Sequence, residues 1–285
     1  MAEPLIVRAG ADEIAYFARR RLHDEHGRTL YLDLAQMTPD GVYVAKDEGT
    51  PVGIVVAHAL EDEWYVCDLF VEPSFRKQGT GWNLLSEAAA DAGDAARSGV
   101  LEPAELGGIA LCLQRGAALQ MPLLQISGPI PHENELARMA AGEYRFQAEP
   151  LDPTGYRAAL AQLDRDIRGS ARPFDHAYFS QKGRGFIFVR ESEIAGYAYV
   201  WPSGRIGPLA ASSQAYLVQL LAFALASVRQ VFDAEWCTLL VPGTNSRLTR
   251  AAMRAGLKVD QVKIFASDGG AHDLSRYVAF HALLL

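Results

Sequence analysis

The stretch over residues 64–92, WYVCDLFVEPSFRKQGTGWNLLSEAAADA, contains three consecutive structural signals. Residues 64–71 are rich in aromatic and β-branched side chains, which predicts a strand, and Pro73 ends it because proline has no N–H for a strand ladder. A loop with two basic residues and two glycines, RKQGTG, follows over residues 76–81. The remaining part predicts a helix that extends to residue 96. Its apolar positions at helical spacing are Leu85, Ala88, Ala89, Ala92 and Ala96.

The loop and the start of the following helix together predict an anion-binding site. The first turn of a helix has unpaired N–H groups and a partial positive charge. Glycines let the backbone adopt positive φ and approach a ligand closely. These features suit a phosphate or a diphosphate. Neither a P-loop, G-x-x-x-x-G-K-[ST], nor a dinucleotide fingerprint, G-x-G-x-x-G, is present in the sequence.

The order V-x-P-x-x-R-x-x-G-x-G, which runs here from Val71 to Gly81, resembles motif A of the Gcn5-related N-acetyltransferase (GNAT) family. In that family the loop binds the pyrophosphate of acetyl-CoA. The resemblance implies an α/β (α+β) fold with a mixed, mostly antiparallel sheet flanked by helices. The acetyl-CoA-binding residues that it implies are Leu69, Phe70, Val71, Arg76, Lys77, Gln78, Gly79, Thr80 and Gly81.

Length and composition indicate a soluble chain of two domains. The 285 residues suffice for two domains of ordinary size, and 49% apolar with 21% charged residues is typical of globular proteins. No apolar run approaches the length of a membrane span, and the first ten residues lack a secretory signal. Three scattered cysteines favour a reducing cytoplasm. The net charge of −7 argues against nucleic-acid partners and suits a cationic amine.

The predicted element order occurs twice, which indicates tandem GNAT-like domains at residues 1–149 and 150–285, joined by a Pro-rich linker at 149–153. The first half contains an ambiguous segment at 23–40 and an added helix within 103–121. That helix serves either packing or an interface, so a homo-oligomer stays open. The second half has only Ala-Ala-Ser-Ser at 210–213 in place of the basic loop, so we expect its acetyl-CoA site to be degenerate.

A second family feature is the tail N-x-x-A-x-x-L-Y-x-x-x-G-F. It places an Asn beside the pantetheine arm of acetyl-CoA and a Tyr near the thioester sulfur. The segment after residue 133 resembles this tail, which implies Asn134 as a further acetyl-CoA-binding residue, although Ala141 stands where the Tyr is expected. Residues 245–257 resemble it as well, with Ala252 at the Tyr position.

Acetyl transfer to an amine needs a base for the amine proton and a donor for the oxyanion. The resemblance implies that this donor is a main-chain N–H near residues 69–71. Counting back by twos along the strand predicts one shared face. Its members are Val71, Leu69, Cys67, Tyr65 and Glu63.

From that face we take Glu63, acting through water, as the candidate base and Tyr65 as the next candidate. Cys67 is a third candidate, although a cysteine on a strand is more often a small buried apolar residue. Asp68 lies on the opposite face and pairs with a helix on this interpretation. No metal-ligand spacing occurs, so we expect no metal.

The sequence therefore predicts a cytoplasmic N-acetyltransferase that moves an acetyl group from acetyl-CoA to a small-molecule amine. A non-catalytic acyl-CoA-binding or regulatory module is the alternative, because no tyrosine or strand base is obvious. A structural protein with two decayed transferase domains is a third interpretation, which the intact first loop disfavours. The sequence does not specify the acceptor, because a fold does not fix a substrate.

Overall fold

The chain, seen in a computed structural model, is described at residues 3–22, 25–90, 92–269 and 273–285. It divides into two compact units. Unit 1 comprises Met1–Leu119 with Ala266–Gly269, and unit 2 comprises Gln120–Phe265 with Gly270–Leu285. This division falls at residue 119, whereas the sequence placed a domain boundary at 149–150.

Unit 1 is built on a five-stranded sheet with the order β1-β2-β3-β4-β5. Neighbouring strands are antiparallel except β4 and β5, which are parallel. The elements are β1 (Leu5–Arg8), α1 (Ala11–Arg21), α2 (Glu25–Met37), β2 (Val42–Asp47), β3 (Thr50–Ala59), β4 (Glu63–Val71), α3 (Thr80–Ala88), β5 (Ala96–Leu101) and α4 (Leu106–Gln114). The ambiguous segment is therefore largely helix α2, and its residues 23 and 24 lie outside the described part.

Both faces of this sheet are covered. Residues 52–58 of β3 are all buried, which a strand shows when helices pack on both of its sides. On one side, Leu84, Leu85 and Ala88 of α3 join an apolar cluster with β3 and β4. Helices α1 and α2 supply other buried side chains of the unit, among them Phe17 and Tyr31.

Two predictions about the end of unit 1 are wrong. The helix after the loop ends at Ala88, and residues 96–101 form strand β5 instead of a helical continuation. The segment taken as an added helix is α4, the helix that directly follows β5. Alanines fit either structure, so the Ala-rich run concealed the turn between α3 and β5.

Unit 2 has the sheet order β12-β6-β11-β10-β9-β8-β7, with β13 also paired to β10. Its parallel pair is β10 with β11, and β6, β8 and β9 make antiparallel pairs. The elements are β6 (Ala118–Pro129), α5 (Glu133–Ala140), β7 (Gln147–Pro150), α6 (Arg157–Arg168), α7 (Pro173–Lys182), β8 (Arg184–Arg190), β9 (Glu193–Val200), β10 (Arg205–Ala211), α8 (Leu217–Phe232), β11 (Trp236–Pro242), α9 (Ser246–Arg254), β12 (Lys258–Ser267) and β13 (Tyr277–Val278).

The predicted linker is part of this sheet. Gln147–Pro150 is strand β7, which pairs antiparallel with β8, and the N–H of Leu151 donates to the carbonyl of Gly185 at 3.0 Å. Strand β7 is the last strand in the order. Pro150 lacks an N–H, but no further strand lies beside β7 in this order to accept a hydrogen bond from it. The repeat itself is confirmed. A strand, two helices, three strands, a helix, a strand, a helix and a strand follow one another from β1 and again from β7.

Candidate active site

A β-bulge interrupts β4 at Cys67. Val56 of β3 pairs with Asp68, but the next residue, Ala57, pairs with Val66, so Cys67 is the extra residue. The bulge shifts the alternation of side chains by one position. The prediction that Glu63, Tyr65 and Cys67 share a face with Leu69 and Val71 is therefore wrong, because counting by twos assumes an unbroken strand.

The two faces of β4 after the bulge are distinct. Leu69 and Val71 pack against the apolar cluster of α3. Phe70 lies on the other face, where its ring centroid is 5.8 Å from that of Phe17 in α1. Asp68 is on this second face as well and pairs with Arg21 of α1. Its predicted pairing with a helix agrees with this contact.

Strands β4 and β5 separate beyond the bulge. They pair only from Glu63 with Ala96 to Val66 with Gly99, yet β4 continues to Val71 and β5 to Leu101. Among the described residues, the main chain of β4 at residues 69–71 therefore has no strand paired with it on the side of β5, and we call this unpaired side the gap. These are the residues at which the resemblance implies the oxyanion donor.

The loop after β4 has the backbone conformation that the glycines suggested. A 3₁₀ turn at Pro73–Phe75 is followed by Lys77 with φ of 62° and Gly79 with φ of 87°. Gly79 is the N-cap of α3, in the left-handed region that glycine adopts without steric cost. The loop residues 76–79 are exposed.

Most backbone N–H groups of this loop have no hydrogen-bond acceptor in the described part of the chain. The N–H of Arg76 donates to the carbonyl of Pro73 at 3.3 Å, and the next backbone donor is Asn83, to the carbonyl of Gly79 at 3.0 Å. Among the described residues, nothing accepts a hydrogen bond from the intervening amides, which belong to residues 77–82. Six consecutive donors at a helix N-terminus can bind an anion.

Three side chains of the loop support its backbone. Arg76 Nε donates to the carbonyl of Val71 at 2.8 Å, and Gln78 Nε2 donates to the carbonyl of Ser74 at 2.8 Å. Thr80 Oγ1 donates to the carbonyl of Phe75 at 3.2 Å and is buried. These contacts leave main-chain amides as the principal donors, with the exposed Lys77 adding positive charge.

The three candidate catalytic side chains are buried. Glu63 is 2% exposed and accepts a hydrogen bond from Ser98 Oγ of β5. Tyr65 is 1% exposed, and Cys67 lies with its Sγ 3.9 Å from the carbonyl oxygen of Tyr65. Glu63 and Tyr65 belong to the part of β4 that is still paired with β5. Their catalytic roles, like that of Cys67, stay predictions.

A polar cluster next to the bulge was not assigned a role from the sequence. Asp68 Oδ1 lies 3.2 Å from Arg21 NH2, and Glu72 Oε1 lies 2.7 Å from Arg20 Nε. Burial and the nearby Asp68 carboxylate raise the pKa of Tyr31 well above its usual range. Only the charge alternation between α1 and the end of β4 could have indicated this cluster.

Asn134 does not belong to the unit that carries the loop. It is an exposed residue of α5, in unit 2, whereas the helix that follows β5 is α4. The sequence tail fits α4 in spacing: Leu111 and Gly116 match its Leu and Gly, and Cys112 occupies the Tyr position. Burial, with a smaller effect of the Asp268 carboxylate, raises the pKa of the Cys112 thiol.

Unit 2 repeats the elements of this site but not its open features. In the turn before α8, the N–H of Ser212 donates to the carbonyl of Ala195 at 2.9 Å, and that of Ala215 donates to Ser213 Oγ at 3.3 Å. The N–H of Tyr216 donates to the carbonyl of Ser213 at 3.1 Å. Three of the donors that could hold a diphosphate here are therefore occupied, and the unpaired donors do not form one continuous run as in unit 1.

The gap between the parallel strands of unit 2 is filled. Strands β10 and β11 pair at Arg205 and Ile206 only. Farther along, β13 pairs with Leu209 and Ala210 of β10, and Ala279 forms a bridge with Leu240 of β11. Residues 277–279 therefore lie between the two strands and are fully buried.

The comparisons with known proteins agree with this geometry. The model of the acetyltransferase (GNAT) family matches residues 11–106, which include β2–β5, the loop and α3. These residues form a GNAT domain. No curated protein matches the sequence.

Solved structures of GNAT proteins share the fold over nearly the whole chain. A protein from Pyrococcus horikoshii, provisionally named an acetyltransferase, is 13% identical with a TM-score of 0.74, and the match covers 100% of this chain and 96% of that one. A tandem GNAT protein from the clavulanic acid biosynthesis pathway is 16% identical with a TM-score of 0.61, covering 94% and 99%. A GCN5-related N-acetyltransferase from Sphaerobacter thermophilus is 15% identical with a TM-score of 0.62, covering 95% and 98%. The predicted tandem GNAT fold is confirmed.

The described residues also bear on two other classes of site. No helix among them is both long and apolar enough to cross a bilayer. No group of three or more His, Cys, Asp or Glu side chains in the same residues could hold a metal ion.

Proposed function

We propose that unit 1 transfers the acetyl group of acetyl-CoA to a primary amine. The observation that carries this proposal is the run of unpaired amides at residues 77–82, adjacent to the gap between β4 and β5. Those amides suit the diphosphate of acetyl-CoA, and the gap suits its extended arm. A diphosphate carries about two charges, so the N-terminus of α3 and Lys77 both favour it.

The reaction forms a C–N bond and breaks a C–S bond. The amine nitrogen attacks the thioester carbon, and an N–H of β4 near residues 69–71 stabilises the oxyanion. The amine reacts in its neutral form after it has released a proton to solvent water, because ammonium groups of this kind have a pKa near ~10. The nitrogen releases its second proton to solvent water as the tetrahedral intermediate collapses to the amide. The departing thiolate takes a proton, for which the Cys112 thiol is our candidate donor because Cys112 occupies the Tyr position of the family tail, and burial raises its pKa.

A thiol-release assay over a panel of primary amines tests this function. The wild-type chain should release CoA thiol in an amine-dependent way, and mass spectrometry should find the acetylated amine. Gly79→Asp provides the matched control, since it places a carboxylate at the proposed diphosphate site. Absence of turnover with every amine, together with tight acetyl-CoA binding, would reject transfer and leave binding.

A second function, acyl-CoA binding without transfer, is favoured by one observation. The three side chains taken as catalytic candidates are buried, and Glu63 is engaged by Ser98. Isothermal titration and the thiol-release assay separate the two functions, because a pure binder shows affinity and no amine-dependent thiol. The acceptor in the first function is defined only as a primary amine.

A further inference from the structure

A cavity of about 870 Å³ lies in unit 2. Its walls are α5 with the turn that follows, the N-terminal turn of α8, and α9. This volume is within the range of small-molecule sites. Four arginines line it: Arg138, Arg247, Arg250 and Arg254.

The charges of this cavity are poorly balanced. Arg138 pairs with Glu135, and Glu143 is the other acidic residue of the lining. Arg247, Arg250 and Arg254 make no ion pair or hydrogen bond within the described residues. The chain as a whole carries a net charge of −7, whereas the lining of this cavity contains more arginines than acidic residues.

Neither the packing nor the dipole of α9 accounts for the three arginines that this helix carries. Its buried side is formed by Leu248 and Ala252, and the arginines occupy the remaining surface. Arg247 is the second residue of α9, where a cation is opposed by the positive end of the helix dipole. Residues 247 and 254 are seven positions apart, so the guanidinium groups extend along about 10 Å of helix.

The opposite wall is held in place and carries an aromatic ring. Gln219 Nε2 of α8 donates to the carbonyls of Ala140 at 3.0 Å and Tyr144 at 3.2 Å. Tyr144 lines the cavity, and its ring packs edge-on against Tyr216 at 4.7 Å, with the Arg190 guanidinium 5.3 Å from the ring centroid. A cavity lined by a tyrosine and by a row of arginines suits a ligand with an aromatic base and several phosphates.

We propose that this cavity binds a nucleoside polyphosphate. The row of arginines takes phosphate groups that extend over a similar length, and Tyr144 contacts the base. An acyl-CoA held in the manner proposed for unit 1 does not suit unit 2, because residues 277–279 fill the gap that would receive its arm. This site is additional to the proposed acetyl-CoA site of unit 1.

Isothermal titration of the full chain with ATP and AMP tests the proposal. ATP should bind the wild type, and AMP should bind at least tenfold more weakly. The variant with Arg247→Gln, Arg250→Gln and Arg254→Gln should lose at least tenfold in ATP affinity. Arg157→Gln, an exposed arginine of α6 in the same unit, should leave it unchanged. Circular dichroism and thermal unfolding verify that each variant is folded.

The Gly79→Asp chain separates this site from the one in unit 1. It should bind ATP as the wild type does, even though we expect it to lose acetyl-CoA. The proposal is overturned if ATP does not bind the wild type, if AMP binds equally well, or if the triple variant retains the wild-type affinity. Loss of ATP binding in Gly79→Asp would also overturn it, because ATP would then occupy the loop of unit 1.

Discussion

Replacing Gly79 by Asp or by Asn separates the charge of the loop from its shape. A side chain at this position has room, since the nearest atom to an added Cβ is Asn83 Nδ2 at 4.0 Å. The φ of 87° is strained for most residues but is tolerated best by Asn and Asp. Both variants should therefore fold, with a loss of about 1–2 kcal/mol in unfolding free energy.

The two variants should differ in acetyl-CoA affinity. A carboxylate about 5 Å from one phosphate charge repels it with an energy of about 3 kcal/mol at an effective dielectric constant near 20. That energy corresponds to roughly a hundredfold weaker binding. Gly79→Asn has nearly the same shape without the charge and should lose tenfold at most.

Isothermal titration with acetyl-CoA at low and at high salt measures this difference. The difference in acetyl-CoA affinity between the Asp and Asn variants should become smaller at high salt, because ions screen exposed charges. Equal affinities for the two variants at low salt would show that no phosphate approaches residue 79. The amides at residues 77–82 would then lose their proposed role.

The remaining predictions concern single side chains. Cys112→Ala should lower kcat about tenfold with little change in acetyl-CoA affinity. In the wild type, kcat should fall as the pH rises past the raised pKa of the Cys112 thiol. Steady-state kinetics as a function of pH test both expectations. Glu63→Gln should lower the free energy of unfolding by about 1–3 kcal/mol, since the buried Ser98 hydroxyl loses its carboxyl acceptor, and it should leave kcat/KM nearly unchanged. A large fall in kcat/KM in this variant would instead make Glu63 the base. Burial and the Asp164 carboxylate raise the pKa of Tyr197, so its contribution to stability is complete below pH ~10 and is lost as the pH rises above that value. Denaturant titrations from pH 8 to 11 should show this fall in the free energy of unfolding. In Tyr197→Phe the fall over the same pH range should be smaller.

The sequence was sufficient where local chemistry determines local structure. Pro73 and Gly79 set the end of β4 and the N-cap of α3, and both features depend on backbone geometry that few other residues adopt. The amphipathic pattern of α8 likewise predicted a helix that buries Leu220, Leu221 and Leu225. Such signals lie within a few residues of the structure that they specify.

Tertiary pairing determined what the sequence could not show. The bulge at Cys67 exists only in the register between β3 and β4, so no count along one strand could find it. Strand β5 contains Arg97, Ser98 and Gly99, which have little β-propensity, and its pairing with β4 makes it a strand. The Pro-rich segment at 149–153 indicated a linker, because nothing in its sequence shows that its first residues belong to an edge strand of the sheet.

The filled gap in unit 2 explains why a repeated fold need not repeat a site. Tyr277 lies in that gap, where its hydroxyl accepts a hydrogen bond from Arg172 NH1 at 2.6 Å and its carbonyl accepts one from Asn245 Nδ2 at 3.4 Å. Arg172 in turn pairs with Asp175 at 2.8 Å, and both side chains are fully buried. Removing one member of such a pair costs about 3–5 kcal/mol, because the other charge stays buried without a partner. Opening the gap would therefore break a buried polar network, so the closed state of unit 2 is part of its folded core. This is why we assign the proposed acetyl transfer to unit 1.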